Sequence, residues 1–315
     1  MPMLYQEGLP FMPKVTKTPD ELLLHSTPIT YPSIGISVTP EDAGWIFVGL
    51  EVMRLEDGDS TELSTDGDEV CLVPLQGAAS VAMGGETWEI SRPGSGSMFD
   101  GKPTALYLPI ASTFTLTAKG NCEIAIAKSR ATRSFPPKLI APDDIDVEIR
   151  GAGNAARQIN HIIKPEFPAD TLLVVEVFTP NGNWSSFPPH KHDVSRMPEE
   201  ANLEEIYYYR IDPPEGFGLQ RLYTEDGSFD HAWTIKDGDT LLVPEGYHAF
   251  AVAHGYTGYY LNVLAGDEPV RTMQPADDPL YHWVRATWTD EQNGGATSYQ
   301  EIDARINNGA GHREP

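Results

Sequence analysis

Apolar residues in this chain recur in short runs rich in Val, Ile, Tyr and Thr, and most runs stop at a Gly, Pro or Asp turn. Residues 45–52 read as a buried strand that ends at the turn Glu56-Asp57-Gly58-Asp59. Further strands are expected over 69–75, 79–83, 86–90, 105–109, 113–117 and 123–127, with Gly84-Gly85 joining two of them in a tight hairpin. A polar, proline-containing connection at 129–146 interrupts the rhythm. It resumes over 146–150, 155–163, 172–179, 205–211, 218–223, 229–235, 240–243, 248–253 and 258–265. The second half repeats the first, which predicts an all-β chain of two tandem barrels. One covers residues 1–135 with an N-terminal arm packed on it, the other 136–315 with a C-terminal tail. Residues 278–285 are expected to form a short helix, and the segment from Asn293 onward to be poorly ordered.

Composition narrows the function. The 315 residues carry a net charge of −24, which argues against nucleic acid and anionic membranes, because both need clustered Lys and Arg. An anionic small substrate would be repelled by the global field, so its pocket would need its own cations. The 28 glycines and 27 prolines fit an all-β chain with many turns. Cys71 and Cys122 lie in apolar runs and read as buried thiols. No apolar run reaches membrane-spanning length and no secretory leader pattern opens the chain, so the expected location is cytoplasmic.

Chemistry concentrates in Trp184-Ser-Ser-Phe-Pro-Pro-His190-Lys-His192-Asp193. Two histidines one residue apart on a strand point to the same face and make half of a transition-metal site. Downstream, Glu205 opens a strand in which period two puts Glu205, Tyr207 and Tyr209 on one face and Ile206, Tyr208 and Arg210 on the other. Glu205 is the expected ligand and Glu204 the alternative. In Gly238-Asp-Thr-Leu-Leu-Val-Pro244-Glu-Gly246-Tyr-His248 the Pro and Gly bend the chain so that His248 re-enters the barrel. Three imidazoles and a carboxylate suit zinc, iron, manganese, cobalt or nickel. His161, His231, His254 and His282 lack this framing and read as surface or core residues, although His254 shares parity with His248.

The paired segments resemble the two motifs of the cupin superfamily, except that a single residue, Tyr247, stands between the Gly and the His of the second. More specifically, the Trp184–Asp193 stretch, Glu204-Glu-Ile-Tyr-Tyr-Tyr, Val243-Pro-Glu-Gly-Tyr-His and Gly255-Tyr-Thr-Gly-Tyr-Tyr-Leu-Asn-Val-Leu-Ala-Gly resemble the 5-deoxy-glucuronate isomerase family of myo-inositol catabolism. Gly44-Trp45, Arg54-Leu55, Ser97-Met-Phe-Asp-Gly-Lys-Pro and Ala105-Leu-Tyr-Leu-Pro extend the likeness, which covers roughly residues 20–290. It implies a bicupin of two jelly-roll-like barrels that isomerises a uronate aldose to a ketose, with one divalent metal, zinc first, and possible homo-oligomers. In the first half Glu69 opens a strand much as Glu205 does, but no histidine lies between His25 and His161, so only the C-terminal barrel is expected to hold metal.

Arg221 and Tyr223 share one strand face; if it is inward, Arg221 is the cation a carboxylate substrate needs, and if outward it is a surface arginine. A hydroxyl of the tyrosine stripe, Tyr207 first, would donate to a sugar oxygen. Lys191 is expected on the barrel exterior. Under the isomerase reading, Glu205 and His248 belong to the catalytic centre, and either a base carries a proton between adjacent carbons through an enediol or a hydride shifts between them without a base. The rival readings are an iron-dependent cupin dioxygenase and a sugar-binding bicupin without enzymatic activity.

Overall fold

The computed structural model describes residues 16–27 and 30–307. Its strands form two units. The first comprises β2 (Ser33–Val38), β3 (Val48–Leu55), β4 (Ser60–Ser64), β5 (Asp68–Met83), β6 (Glu86–Ser91), β7 (Ala105–Leu108), β8 (Thr113–Arg130) and β9 (Lys138–Ile140). They make one antiparallel sheet in the order β2-β3-β8-β5-β7-β9, with β4 on β8 and β6 on β5. The second unit is built from β10 (Asp146–Arg150), β11 (Arg157–Ile163), β12 (Leu173–Thr179), β13 (Trp184–Lys191), β14 (Asp193–Arg196), β15 (Glu200–Asn202), β16 (Glu204–Asp212), β17 (Gly218–Tyr223), β18 (Asp230–Ile235), β19 (Thr240–Val243), β20 (Tyr247–Val252), β21 (Thr257–Ala265) and β22 (Ala276–Asp277). It forms a sheet β1-β19-β16-β21-β12-β11-β10, which includes the arm strand β1 (Leu23–Leu24), facing a sheet β18-β17-β20-β13-β22.

The fold is all-β, and the short-strand rhythm explains it with two adjustments. Residues 69–83 and 113–127 each run as one long strand, β5 and β8. β5 breaks register on either side of Gln76, where Gly77 takes φ +73° and lies so close to Asn121 O that a Cβ would clash. Gly84 and Gly85 both adopt positive φ at the tip of the β5–β6 hairpin, as the two-residue turn requires. The continuous apolar runs of β3 and β12 follow from burial on both faces, since one apolar core spans both units.

Carboxylates stitch the units together in a reciprocal pattern. Glu69 at the start of β5 accepts the backbone N–H groups of Asp170, Thr171 and Leu172 at 2.7–2.8 Å, just ahead of β12. Glu204 at the start of β16 accepts those of Ile46, Phe47 and Val48 at 2.7–3.1 Å, where β3 begins. Arg92 of the first unit meets Glu176 of the second at 2.6 Å with both side chains fully buried. Glu123 receives Arg54 at 2.9 Å and the Tyr208 hydroxyl at 3.2 Å, and also pairs with Arg210.

Both chain ends differ from expectation. The described part of the arm does more than pack on the first unit: β1 pairs with β19 of the second. Residues 1–15 and 28–29 of the arm lie outside the described residues. The described part of the tail folds into a helix over Tyr299–Asn307, and residues 308–315 lie outside the described residues. Tyr299 stacks on Phe178 at 4.6 Å and donates its hydroxyl to Phe99 O, a tertiary anchor that local composition does not reveal. The short helix near residue 280 is present as a 3₁₀ turn over His282–Thr287. No helix of the described residues is long and apolar enough to cross a membrane.

Candidate metal centre

β13 and β20 pair so that His190 stands opposite His248, and His192 follows just beyond the end of β13. The ring centroids lie 4.7 Å apart for His190–His248, 5.2 Å for His192–His248 and 6.3 Å for His190–His192. One ring nitrogen from each of the three falls within 4.8 Å of the others. Each Nδ1 faces a backbone carbonyl: His190 that of Pro188, His192 that of Leu203 and His248 that of Gly246. Such contacts fix the rings and turn Nε2 inward, the usual outer support of metal-binding imidazoles.

β16 brings the carboxylate. Glu205 Oε2 lies 2.9 Å from His192 Nε2 and 3.3 Å from His248 Nε2. Glu204 points the other way, into its clasp on β3, and of the two carboxylates it is Glu205 that lies beside the histidines. The same alternation turns Tyr207 towards the histidines and Tyr208 and Arg210 towards Glu123 in the other unit. It also makes Glu69 the counterpart of Glu204, since both carboxylates bind the next unit's backbone. Val70, buried among aliphatics, therefore occupies the Glu205 position in the first unit.

Burial, together with the neighbouring imidazoles, holds His190 well below the ordinary histidine range, and burial lowers His248 to about 4. Burial opposes charge on His192 too, but the hydrogen bond and charge of Glu205 outweigh it and raise its pKa. His248 Nε2 is buried with no hydrogen-bond partner among the described residues. A buried lone pair without a donor, beside two more imidazole nitrogens and a carboxylate, suits a divalent cation.

The pocket around this cluster is lined by Ser186, Tyr207, Tyr260, Asn262, His161, Arg150 and Arg157, among others. Ser186 takes φ +52°, a strained conformation for serine, and places its Oγ 3.2 Å from the Tyr207 hydroxyl and 3.4 Å from that of Tyr260. Arg221 and Tyr223 are elsewhere. On β17 the buried Gln220 and Leu222 occupy the inward face, so the alternate residues point out. Arg221 pairs with Asp230 at 2.7 Å and lies over the Tyr223 ring, whose hydroxyl donates to Asp278 at 2.5 Å. Lys191 faces away from the histidines as expected but is buried, held by Asp193 at 2.6 Å and Glu200 at 2.8 Å. His254 is an exposed turn residue.

The pocket's cations come from β10 and β11. Arg150 forms a two-point pair with Glu148 at 2.7 and 2.8 Å, and His161 Nε2 meets the same carboxylate at 3.1 Å. Arg157 is 3% exposed and its Nη1 donates to Ala155 O and Phe187 O. No motif marks these residues, but the alternation Arg157-Gln-Ile159-Asn-His161 puts all three odd positions on one strand face.

Comparison with known proteins gives this centre a lineage. Residues 24–284 match the KduI/IolB family. The chain belongs to that family. A relative named 5-deoxy-glucuronate isomerase from Geobacillus kaustophilus (strain HTA426) is 45% identical over 249 residues, which cover 79% of this chain and 90% of the relative. Its namesake from Bacillus subtilis (strain 168) is 39% identical over 249 residues, 78% and 91% respectively. Among solved structures, an IolB-like protein from Salmonella typhimurium LT2 superposes with TM-score 0.79 at 37% identity, covering 84% of this chain and 98% of that one. Lactobacillus farciminis oxalate decarboxylase shares the fold alone, with TM-score 0.56 at 14% identity over 84% and 90% of the two chains. The family membership and the cupin-like fold therefore agree with the motifs that suggested them.

Proposed function

We propose that this KduI/IolB family member is a metal-dependent aldose–ketose isomerase that converts 5-deoxy-glucuronate to 2-deoxy-5-keto-gluconate in myo-inositol breakdown. The reading is carried by one conjunction: His190, His192 and His248 cluster beside Glu205 in a chain that matches isomerase-named relatives over about nine-tenths of their length. It favours isomerisation over dioxygenase chemistry and over binding without turnover. In this reading the chain is a bicupin, residues 1–135 and 136–315, and only the second barrel holds metal.

His190, His192, Glu205 and His248 would hold one divalent ion, with zinc first among those the donor set suits. When bound, such an ion polarises a carbonyl and stabilises oxyanion charge. The chain's own groups do the rest. Glu205 takes the proton from the carbon next to the aldehyde and returns it to the former aldehyde carbon, while the hydroxyl proton passes from the second oxygen to the first. Tyr207, Ser186 and Tyr260 present hydroxyls to the sugar oxygens, and the buried rings around them exclude water.

Proton NMR of 5-deoxy-glucuronate with metal-replete protein in deuterated water tests this. The expected product is a ketose carrying solvent deuterium at the former aldehyde carbon. A ketose without deuterium would keep the isomerase and point to a hydride shift or to a base shielded from solvent exchange. No ketose at all would overturn the proposed activity.

A further inference from the structure

The metal-ligand cluster explains one end of a sugar acid and leaves the carboxylate without a receptor. The chain's charge of −24 sharpens the problem, because an anion entering this pocket must be met by local positive charge. Of the pocket-lining arginines, Arg150 is already neutralised by its two-point pair with Glu148. Arg157 is different. Among the described residues no carboxylate lies within ion-pair distance of it, and no acceptor meets its Nε or Nη2.

The surroundings of Arg157 are built to hold a cation in place. Two backbone carbonyls fix Nη1. Gly151, at φ +80°, passes so close that a Cβ would lie 2.7 Å from Nη1 and 2.2 Å from Ala155 O, which only glycine permits. The Trp288 ring lies 6.0 Å from the guanidinium carbon. Burial, with the nearby Arg150 charge, lowers the group to about 10, as expected for a buried cation lacking a counter-ion. A buried unpaired charge is costly, and it is retained where a ligand of opposite sign completes it.

We propose that Arg157 is the receptor for the substrate carboxylate. The sugar acid then lies with its carboxylate on Nε and Nη2 of Arg157 and its aldehyde end towards His190, His192, Glu205 and His248. This rests on the isomerase reading for the identity of the acid.

Calorimetry on the metal-loaded full chain tests it with two probes that cannot isomerise. One is the hydroxy acid made by reducing the aldehyde of 5-deoxy-glucuronate, the other its neutral carboxamide. Wild type should prefer the acid, and Arg157→Gln should reduce that preference by about 100-fold, the size of a lost charge-assisted two-point contact. A merely structural arginine would weaken both probes alike and leave the ratio unmoved. A ratio retained in Arg157→Gln, or absent in wild type, overturns the assignment alone. Wild type that binds neither probe overturns the substrate reading, and the assignment with it. If the glutamine variant does not fold, Arg157→Lys keeps the charge but loses the two-point geometry. It should cost the acid about tenfold and spare the amide, and an unaltered ratio in that variant is equally fatal.

Discussion

The two β-units have opposite interiors. In the first, Val70, Leu72, Leu106, Leu108, Leu116, Ile124 and Ile126 fill the space between the strands with aliphatic side chains. In the second, the corresponding space holds His190, His192, His248 and Glu205 with a ring of tyrosines. What the units share is the outer carboxylate at the strand start, Glu69 in one and Glu204 in the other. The position one residue further in decides the difference: Val70 closes a core and Glu205 opens a site. Interior chemistry is thus free to diverge while the contacts that hold the units together remain paired.

Five substitutions would break or sharpen this contrast. The largest effect is expected from His248→Ala, which should abolish metal retention and cut turnover by at least about a thousandfold, read by metal analysis beside kcat. Full activity in metal-free protein would contradict it. Next, Arg92→Met strands Glu176 as a buried charge between the units and should cost about 3–5 kcal/mol in denaturant unfolding. A loss below about 1 kcal/mol would mean that Glu176 is protonated or reached by water.

Smaller effects should separate the two clasps. Glu69→Gln and Glu204→Gln each weaken a carboxylate that holds three successive amides, at about 1–3 kcal/mol apiece. Only Glu204→Gln should also weaken metal binding, because its neighbour Glu205 loses its anchor. Equal metal affinity in the two variants would show that the clasp does not reach the site. Smallest of all, Arg221→Ala should leave KM within about twofold, the ordinary result for an exposed ion pair. A large rise in KM would bring β17 back into the substrate pocket.

How far the sequence went follows from what kind of signal each residue carried. His190, His192, Glu205 and His248 were legible because a His-x-His strand, an inward glutamate and a Pro-x-Gly bend each act locally. Tyr207 followed from its parity with Glu205. Arg221 failed because parity fixes which residues share a face and says nothing about which face is inward. Gln220 and Leu222 settle that only once β17 lies beside β20. Arg150, Arg157 and His161 were missed for the complementary reason: β10 and β11 carry no turn or ligand motif, and their role depends on sharing a sheet with β16 and on the second sheet, which holds β13. The merging of short apolar runs into β5 and β8 was hidden as well, because a bulge and a chain break both look like a glycine in sequence.

The pairing of Leu23–Leu24 with Thr240–Val243 has a consequence for how the molecule is made. A ribosome releases the arm about 200 residues ahead of its partner strand. The second unit's larger sheet therefore waits for a segment that left the exit tunnel first, and the first unit must carry that segment unpaired in the meantime. Such distant pairing slows folding more than it alters final stability. Severing the chain between the units would consequently yield a second half with an open sheet edge.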